Sequence, residues 1–206
     1  PVGRDQRRDW QRRLESDLRS YVDALYSDAV NALAGTIQKT GNGRCFWAFN
    51  PLSWERTDYT DLPFNETKPV HVVDLSTGEE VPSQYVLVND QQYLRILALN
   101  VPSMGYKVFE IRPDAGENFS DAAVINGNSI ENEFYRIEVA DHGAITNWVD
   151  KFRDNRQLAK AVGDRFINDL GSGEGNLQIE SNGPVTATLL SSASAPLSHL
   201  TRITFI

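Results

Sequence analysis

The hydrophobic period of this chain changes once, and the change limits what it can fold into more than any other feature. Within residues 9–40, apolar side chains recur at Trp10, Leu14, Leu18, Tyr21, Val22, Leu25, Ala29, Ala32, Leu33 and Ile37. Steps of three and four place them on one stripe of a helix. No proline breaks the run, glycine first enters it at Gly35, and Gly41 supplies a stop. At ~1.5 Å per residue the helix would be roughly 45 Å long. An apolar stripe of that length must be covered, either by the remainder of the chain or by helices this chain does not contain. After Gly41 no comparable helical run follows, and the period falls to two.

A period of two, broken by turn residues every eight to twelve positions, predicts short antiparallel strands. Residues 44–49 form the first and end at the Asn50-Pro51 turn. Residues 54–62 follow and close at Pro63. Residues 70–75, 81–88, 93–99 and 106–111 complete a set of six, with Asn89-Asp90 joining the fourth and fifth as a hairpin. The spacing predicts a small β-sandwich over 42–113. Residues 114–128 are polar and rich in Gly and Asn, and read as a linker. A second β unit opens at Ser129, where Tyr135, Ile137 and Val139 share one face. The Asp141-His142-Gly143 turn leads into 144–149, residues 150–176 are irregular, and strands resume at 177–180, 185–191 and 199–206. The fold class is mainly β with one long N-terminal helix over 1–41. The sequence starts without Met and stops inside an alternating strand, Ile203-Thr204-Phe205-Ile206. It is read as a piece of a longer protein.

Charge removes some function classes. Lys and Arg number 20 and Asp and Glu 28, for a net charge of −8, with −9 on residues 41–206 and +1 on residues 1–40. An acidic chain does not suit general nucleic-acid binding, which needs a basic face. No apolar run reaches the ~18–20 residues that cross a bilayer as a helix. Arg4, Arg7, Arg8, Arg12 and Arg13 alternate with Asp5, Asp9, Glu15 and Asp17, the pattern of a solvated, internally paired helix face.

Reactive groups are sparse. Cys45 is the single cysteine, which excludes a disulfide within the chain and a thiolate-rich metal site, and it reads as a small core residue. His71, His142 and His199 stand in no metal-ligand spacing. There is no G-x-S-x-G elbow, and the Gly-rich stretch 171–175 lacks the Lys of a phosphate loop. Glycoside chemistry uses a pair of carboxylates. Among 28 acids, Asp164 and Asp169 are the loop-placed candidates for a substrate rim, because they bracket Phe166-Ile167 just before the Gly-rich stretch. Trp47, Trp54, Trp148 and Tyr93 offer faces for sugar stacking, but in so small a sandwich they read as core. No catalytic, cofactor-binding or metal residue is assigned.

Four segments in order resemble the region that follows the catalytic domain in glycoside hydrolase family 38, the α-mannosidases. Residues 46–57 (FWAFNPLSWERT) resemble the family's NPLSW strand and turn. Residues 73–84 (VDLSTGEEVPSQ) are similar to its V-x-D-x-x-G-x-x-V-P-x-Q hairpin. Residues 101–109 (VPSMGYKVF) resemble its V-P-x-x-G-Y strand, and 130–151 (IENEFYRIEVADHGAITNWVDK) its E-N-E to D-K hairpin. Arg156-Gln157-Leu158 and Gly183-Pro184-Val185 match shorter family signatures. The resemblance implies that 1–41 is the terminal helix of a helical middle domain. It implies that 42–113 is an immunoglobulin-like sandwich and that 129–206 is an incomplete mutarotase-like supersandwich. It further implies a zinc-dependent hydrolase of α-mannosides as the parent, with nucleophile and zinc ligands in domains outside this chain. On that reading the chain is a non-catalytic scaffold that binds no zinc itself. Its partners are the parent's catalytic and helical domains, and carbohydrate reaches it only through the parent. Nucleic acid and membrane are not expected as partners, and a homo-oligomeric parent stays open. The competing reading is a stand-alone carbohydrate-binding module that uses an exposed Trp.

Overall fold

The computed structural model describes residues 3–37, 43–88, 90–159, 161–171 and 174–206. The chain divides into two compact units, Pro1–Asn42 and Gly43–Ile206. The first is helix α1, Arg4–Thr36, roughly 50 Å long. It begins six residues before the apolar stripe, which opens at Trp10. Gly3 takes an extended N-cap conformation, and its N–H donates to Oε1 of Gln6 at 3.1 Å, while its carbonyl accepts from Arg7 N–H at 3.1 Å. At the other end Ile37 is extended and the Thr36 hydroxyl donates to the Leu33 carbonyl at 2.7 Å. Gly41, read as the stop, lies outside the described residues. Arg8–Asp5 and Arg19–Glu15 pair along the exposed face as the charge pattern predicts. The helix buries none of its residues, and Trp10, Tyr21 and Tyr26 are 61%, 64% and 71% exposed.

The first half of the β unit holds seven strands: β1 Arg44–Asn50, β2 Arg56–Pro63, β3 Val70–Asp74, β4 Glu80–Val81, β5 Ser83–Val88, β6 Gln91–Val101 and β7 Gly105–Pro113. They form two antiparallel sheets, β1-β7-β3-β4 and β2-β6-β5. Alternation is plainest in β6, where Leu94, Ile96 and Ala98 are buried and the residues between them are less so. These three meet Ala48, Val72, Val81, Phe109 and Ile111 from the opposing sheet, with Phe64 filling the end. Burying one such large side chain contributes roughly 1.5–3 kcal/mol. The sandwich predicted from the strand spacing is therefore present. Two side chains expected in its core are not there. Cys45 is exposed because it takes the outward register of β1, across from Glu110. Trp54 is 61% exposed, since β2 starts only at Arg56 and the preceding residues form a bend.

The second half carries β8 Val124–Asn126, β9 Ser129–Glu131, β10 Tyr135–Val139, β11 Ile145–Asp150, β12 Arg156–Gln157, β13 Gly175–Ser181, β14 Ala187–Ala193 and β15 His199–Phe205. Their sheets are β12-β11-β10-β9-β8 and β13-β14-β15, again antiparallel. Ile130, Ile137, Val139 and Ile145 of the larger sheet pack on Ala187, Leu189 and Phe205 of the smaller. The polar stretch 114–128 contributes β8, which pairs with β9 through the Gly127-Asn128 turn while Ala123 and Ile125 reach the core. Gly127 takes φ +61, the left-handed conformation that turn needs. Strand β15 is the edge of its sheet.

Candidate functional site

The polar residues of the four sequence motifs fall into small, buried or half-buried ties between strands. Asn50 is nearly fully buried. Its Nδ2 donates to the carbonyls of Trp54 (2.7 Å), Val101 (3.1 Å) and Pro102 (3.2 Å), and its Oδ1 accepts from Leu52 N–H at 3.0 Å. Asp74 is also buried. It accepts from Lys107 Nζ at 2.8 Å and from the Ser76 N–H and hydroxyl at 2.8 and 2.7 Å. Burial acts to raise the Asp74 carboxyl, but the bonds from Lys107 and Ser76 outweigh it and hold the group below the usual range. Lys151 donates to Glu131 Oε1 and to the Asn132 carbonyl, both at 2.7 Å. Each tie links residues nineteen or more positions apart, or closes a local turn or loop.

One tie joins the two halves of the β unit. Gln84, the last residue of Val81-Pro82-Ser83-Gln84, lies against the chain just after Gly183-Pro184. Its Oε1 accepts from Val185 N–H (2.8 Å) and Thr186 N–H (2.9 Å), while its Nε2 donates to the carbonyl and hydroxyl of Thr186, both at 3.1 Å. One side-chain amide thus serves both donors and acceptors of the segment that leads into β14, as a neighbouring backbone would. The fit works in one orientation only, because a flipped amide would face its NH2 to two N–H groups. Thr186 is fully buried, and its hydroxyl also accepts from Arg95 Nη1 at 3.1 Å. Arg95 is itself fixed by two bonds of 2.7 Å to Asp61 and by stacking over Tyr59 at 4.2 Å. A Cβ at Gly183 would come 2.7 Å from Gln84 Oε1, so glycine permits the approach. Beside this latch a cleft of about 360 Å³ opens, lined by Tyr59, Arg95, Glu180, Thr188, Arg202 and Thr204. Both arginines there are already bound to carboxylates, Arg202 to Glu180 at 2.8 Å.

The two acids chosen from the sequence are placed differently. Asp164 sits in an exposed turn where Val162 and Arg165 pair. Asp169 is drawn into its own loop: Oδ1 accepts from Gly171 N–H at 2.9 Å, Oδ2 from Phe166 N–H at 3.4 Å, and His142 Nε2 stands 3.6 Å away. The Gly171 N–H foremost, then Phe166 and His142, keep this carboxyl below its ordinary range despite partial desolvation. Asp169 is therefore an ionised acceptor near neutral pH and not a proton donor. Next to it, Asn168 at φ +58 donates through Nδ2 to the Gly143 carbonyl (3.1 Å) and to Thr201 Oγ1 (3.0 Å). His199 directs Nδ1 to the Leu197 carbonyl (2.8 Å) and Nε2 to the His142 carbonyl (3.0 Å). Two carbonyls are satisfied together only by the doubly protonated ring, and the Leu197 and His142 carbonyls push the His199 pKa up. Ser172 and Gly173 of the Gly-rich stretch lie outside the described residues.

Sequence spacing singled out Asp169 but not His142 beside it, nor the nearby ties that Asn168 makes to Thr201 and His199 makes to the His142 carbonyl. Among the described residues no three His, Cys, Asp or Glu side chains converge as metal ligands, so this cluster does not fit a zinc ion. Of the tryptophans, Trp47 and Trp148 are half-buried, and the buried Trp148 indole N–H has no acceptor among the described residues.

These features define a two-part, mainly antiparallel β unit, tied internally by polar residues, preceded in sequence by a long helix. Comparison with known proteins places that fold. No family model matches the chain, and no curated protein does. Among solved structures it is similar to an alpha-mannosidase from Enterococcus faecalis V583, with a TM-score of 0.59 and 19% sequence identity over 92% of this chain and 28% of that one. It is also similar to a protein in the glycosyl hydrolase family 38 from Enterococcus faecalis, with a TM-score of 0.52 and 20% identity over 81% of this chain and 26% of that one. The chain thus spans little more than a quarter of the length of the structures it resembles, and at this identity the likeness is one of fold.

Proposed function

We propose that this chain is a non-catalytic part of an α-mannosidase-like glycoside hydrolase. In that role α1 is the terminal helix of a helical middle domain, the first sandwich is the immunoglobulin-like module, and the strands after it open a mutarotase-like supersandwich. The chain scaffolds a catalytic domain that holds zinc and hydrolyses α-mannosides. Zinc would supply Lewis-acid chemistry there, and no residue described here is assigned to it. The observation that carries the reading is the fold match, which extends over 92% of this chain but only 28% of the α-mannosidase. The motif residues support it, since Asn50, Asp74, Gln84 and Lys151 are engaged in structural bonds and not turned to an open pocket. Asp169, ionised and fixed, would serve at most as an acceptor for a sugar hydroxyl at the rim.

Replacing the matched segment of a related active α-mannosidase with this chain tests the reading. The hybrid is expected to keep zinc-dependent hydrolysis of an aryl α-mannoside, and the purified 206-residue chain to have none. Turnover by the isolated chain, or a folded hybrid without activity, would overturn it. The exposed Trp54 supplies the test of the competing reading. Protection of its fluorescence from quenching by mannose would make the chain a carbohydrate-binding module.

A further inference from the structure

The cleft beside the Gln84 latch lies between two faces that neither core uses. Arg95 stands between Leu94 and Ile96 on β6, and Thr188 stands between Ala187 and Leu189 on β14. Those neighbours point into the two cores, so Arg95 and Thr188 point out of them. Sheets β2-β6-β5 and β13-β14-β15 therefore face each other across the cleft with their outer surfaces. Strands β6 and β14 are central in those sheets and paired on both sides, so the floor offers side chains and not a backbone edge. At about 360 Å³ the cleft stands at the small end of the roughly 300–1,000 Å³ that ligand sites occupy.

The charges of the cleft cancel. Arg95 is paired with Asp61 and Arg202 with Glu180, and no further charged side chain lines it among the described residues. An anion would have to displace one of those carboxylates, and an apolar ligand would cover both ion pairs with a surface that cannot hydrogen-bond. Hydrogen-bonding capacity nevertheless remains. The Arg202 Nε–H is shared between the two Glu180 oxygens, at 2.9 and 2.8 Å, and the N–H groups on its Nη1 and Nη2 have no acceptor among the described residues. One hydroxyl of Thr188 and Thr204 donates to the other at 2.9 Å, which leaves the second O–H for a ligand. Arg95 is fixed by Asp61 and Thr186, and it covers one face of Tyr59, whose side chain is still 39% exposed. Leu87 and Val88 add exposed apolar surface. Fixed donors beside fixed acceptors, no net charge and an aromatic wall suit a neutral polyhydroxyl ring. Its hydroxyls donate to the carboxylate and accept from the guanidinium, while its C–H face lies on Tyr59.

We propose that this cleft binds a neutral saccharide, with Arg202, Glu180 and the Thr188–Thr204 pair on its hydroxyl groups and Tyr59 on its ring face. The site uses neither zinc nor Trp54. It is read by binding and not by turnover, so its failure would leave the scaffold reading standing. The test is an NMR titration of the chain with methyl α-mannoside, methyl α-glucoside and methyl β-galactoside, each to about 50 mM, well above the Kd of a weakly held small ligand. At least one is expected to shift the amides of Arg95, Glu180, Arg202 and Thr204 with a Kd on the order of 1 mM, and inorganic sulfate is expected not to. Arg202→Gln should weaken that binding about tenfold and Tyr59→Ala about fivefold, with circular dichroism showing the β unit intact. Glu180→Gln should weaken it about tenfold and admit sulfate at the same amides, because the Arg202 charge is then unbalanced. A purely structural role would not produce that exchange of ligands. Cleft amides unmoved by all three glycosides would overturn the proposal. So would shifts that Arg202→Gln leaves unchanged, or sulfate bound in the wild-type cleft more tightly than every glycoside.

Discussion

In the first half of the β unit, Asn50 and Asp74 are 3% and 2% exposed, and their bonds run between strands inside the sandwich. In the second half, Asp169, Asn168 and His199 hold loops to the end of a sheet near the surface. In the neighbouring turns and strand Val162, Leu197 and Leu200 stand exposed. Both halves close an apolar core between two antiparallel sheets. They differ in where the polar ties lie. The first half uses them to seal its interior, the second to shape an end that other groups are free to approach.

The largest expected effect comes from the cores. Phe109→Ala should cost about 4 kcal/mol and Leu189→Ala about 3 kcal/mol in denaturant unfolding, as large-to-small changes in packed interiors do. If Phe109→Ala left the second half folded, the halves would be separate folding units. Gln84→Leu is expected next, at about 3 kcal/mol, because the Val185 and Thr186 N–H groups would lose their acceptor in a buried place. It should also speed hydrogen exchange at Val185 and Thr186 and split one unfolding transition into two. Unchanged exchange at those amides would break the view that this amide joins the halves.

Asp74→Asn should cost about 1–2 kcal/mol through the lost ionic bond to Lys107. The Asp74 carboxyl is held below its unfolded value, so its stabilisation is complete above about pH 4 and is lost as pH falls through the folded value. Acid titration followed by fluorescence should show this loss in the wild type and not in Asp74→Asn. The smallest effect belongs to His199→Gln, at the surface. The His199 pKa is raised on folding, so its contribution is complete below about pH 6.5 and disappears as pH rises through the folded value. The protection of the Ile145 amide bonded to Ile167, corrected for the intrinsic rise of exchange with pH, should therefore fall on alkalinisation in the wild type and stay constant in the variant. A pH-independent loop would remove the proposed contrast between the halves.

Much of the architecture was legible because period is a local signal. The helix stripe, the β5–β6 hairpin and the β10–β11 hairpin all follow from residues a few positions apart. The apolar run by itself gives no start for α1 ahead of Trp10, because Gly3 and Gln6 cap the helix from beyond that run. Strand β8 was hidden in a polar stretch because three residues are too few to display an alternation. Trp54 and Cys45 were placed inside because residue type suggests burial, whereas strand register and the Asn50 loop decide it. The contact of Gln84 with Thr186 spans 102 positions, and no periodicity carries information over that distance. The two motifs that hold it were visible as a resemblance; that they touch was not. Asp169 was found by its place before a Gly-rich stretch, but its histidine neighbours come from other turns.

Strand β15 has one further consequence. Its outer side has no neighbour among the described strands, and Leu200 stands exposed on it. Such an edge is a template on which another extended peptide can add itself. The strand's positive groups, Arg202 and the His199 ring, do little to discourage that addition, since Arg202 is occupied by Glu180 and His199 by the Leu197 and His142 carbonyls. Concentrated preparations of this chain should therefore be prone to stacking strand on strand, and a lysine introduced at Leu200 is the simplest guard against it.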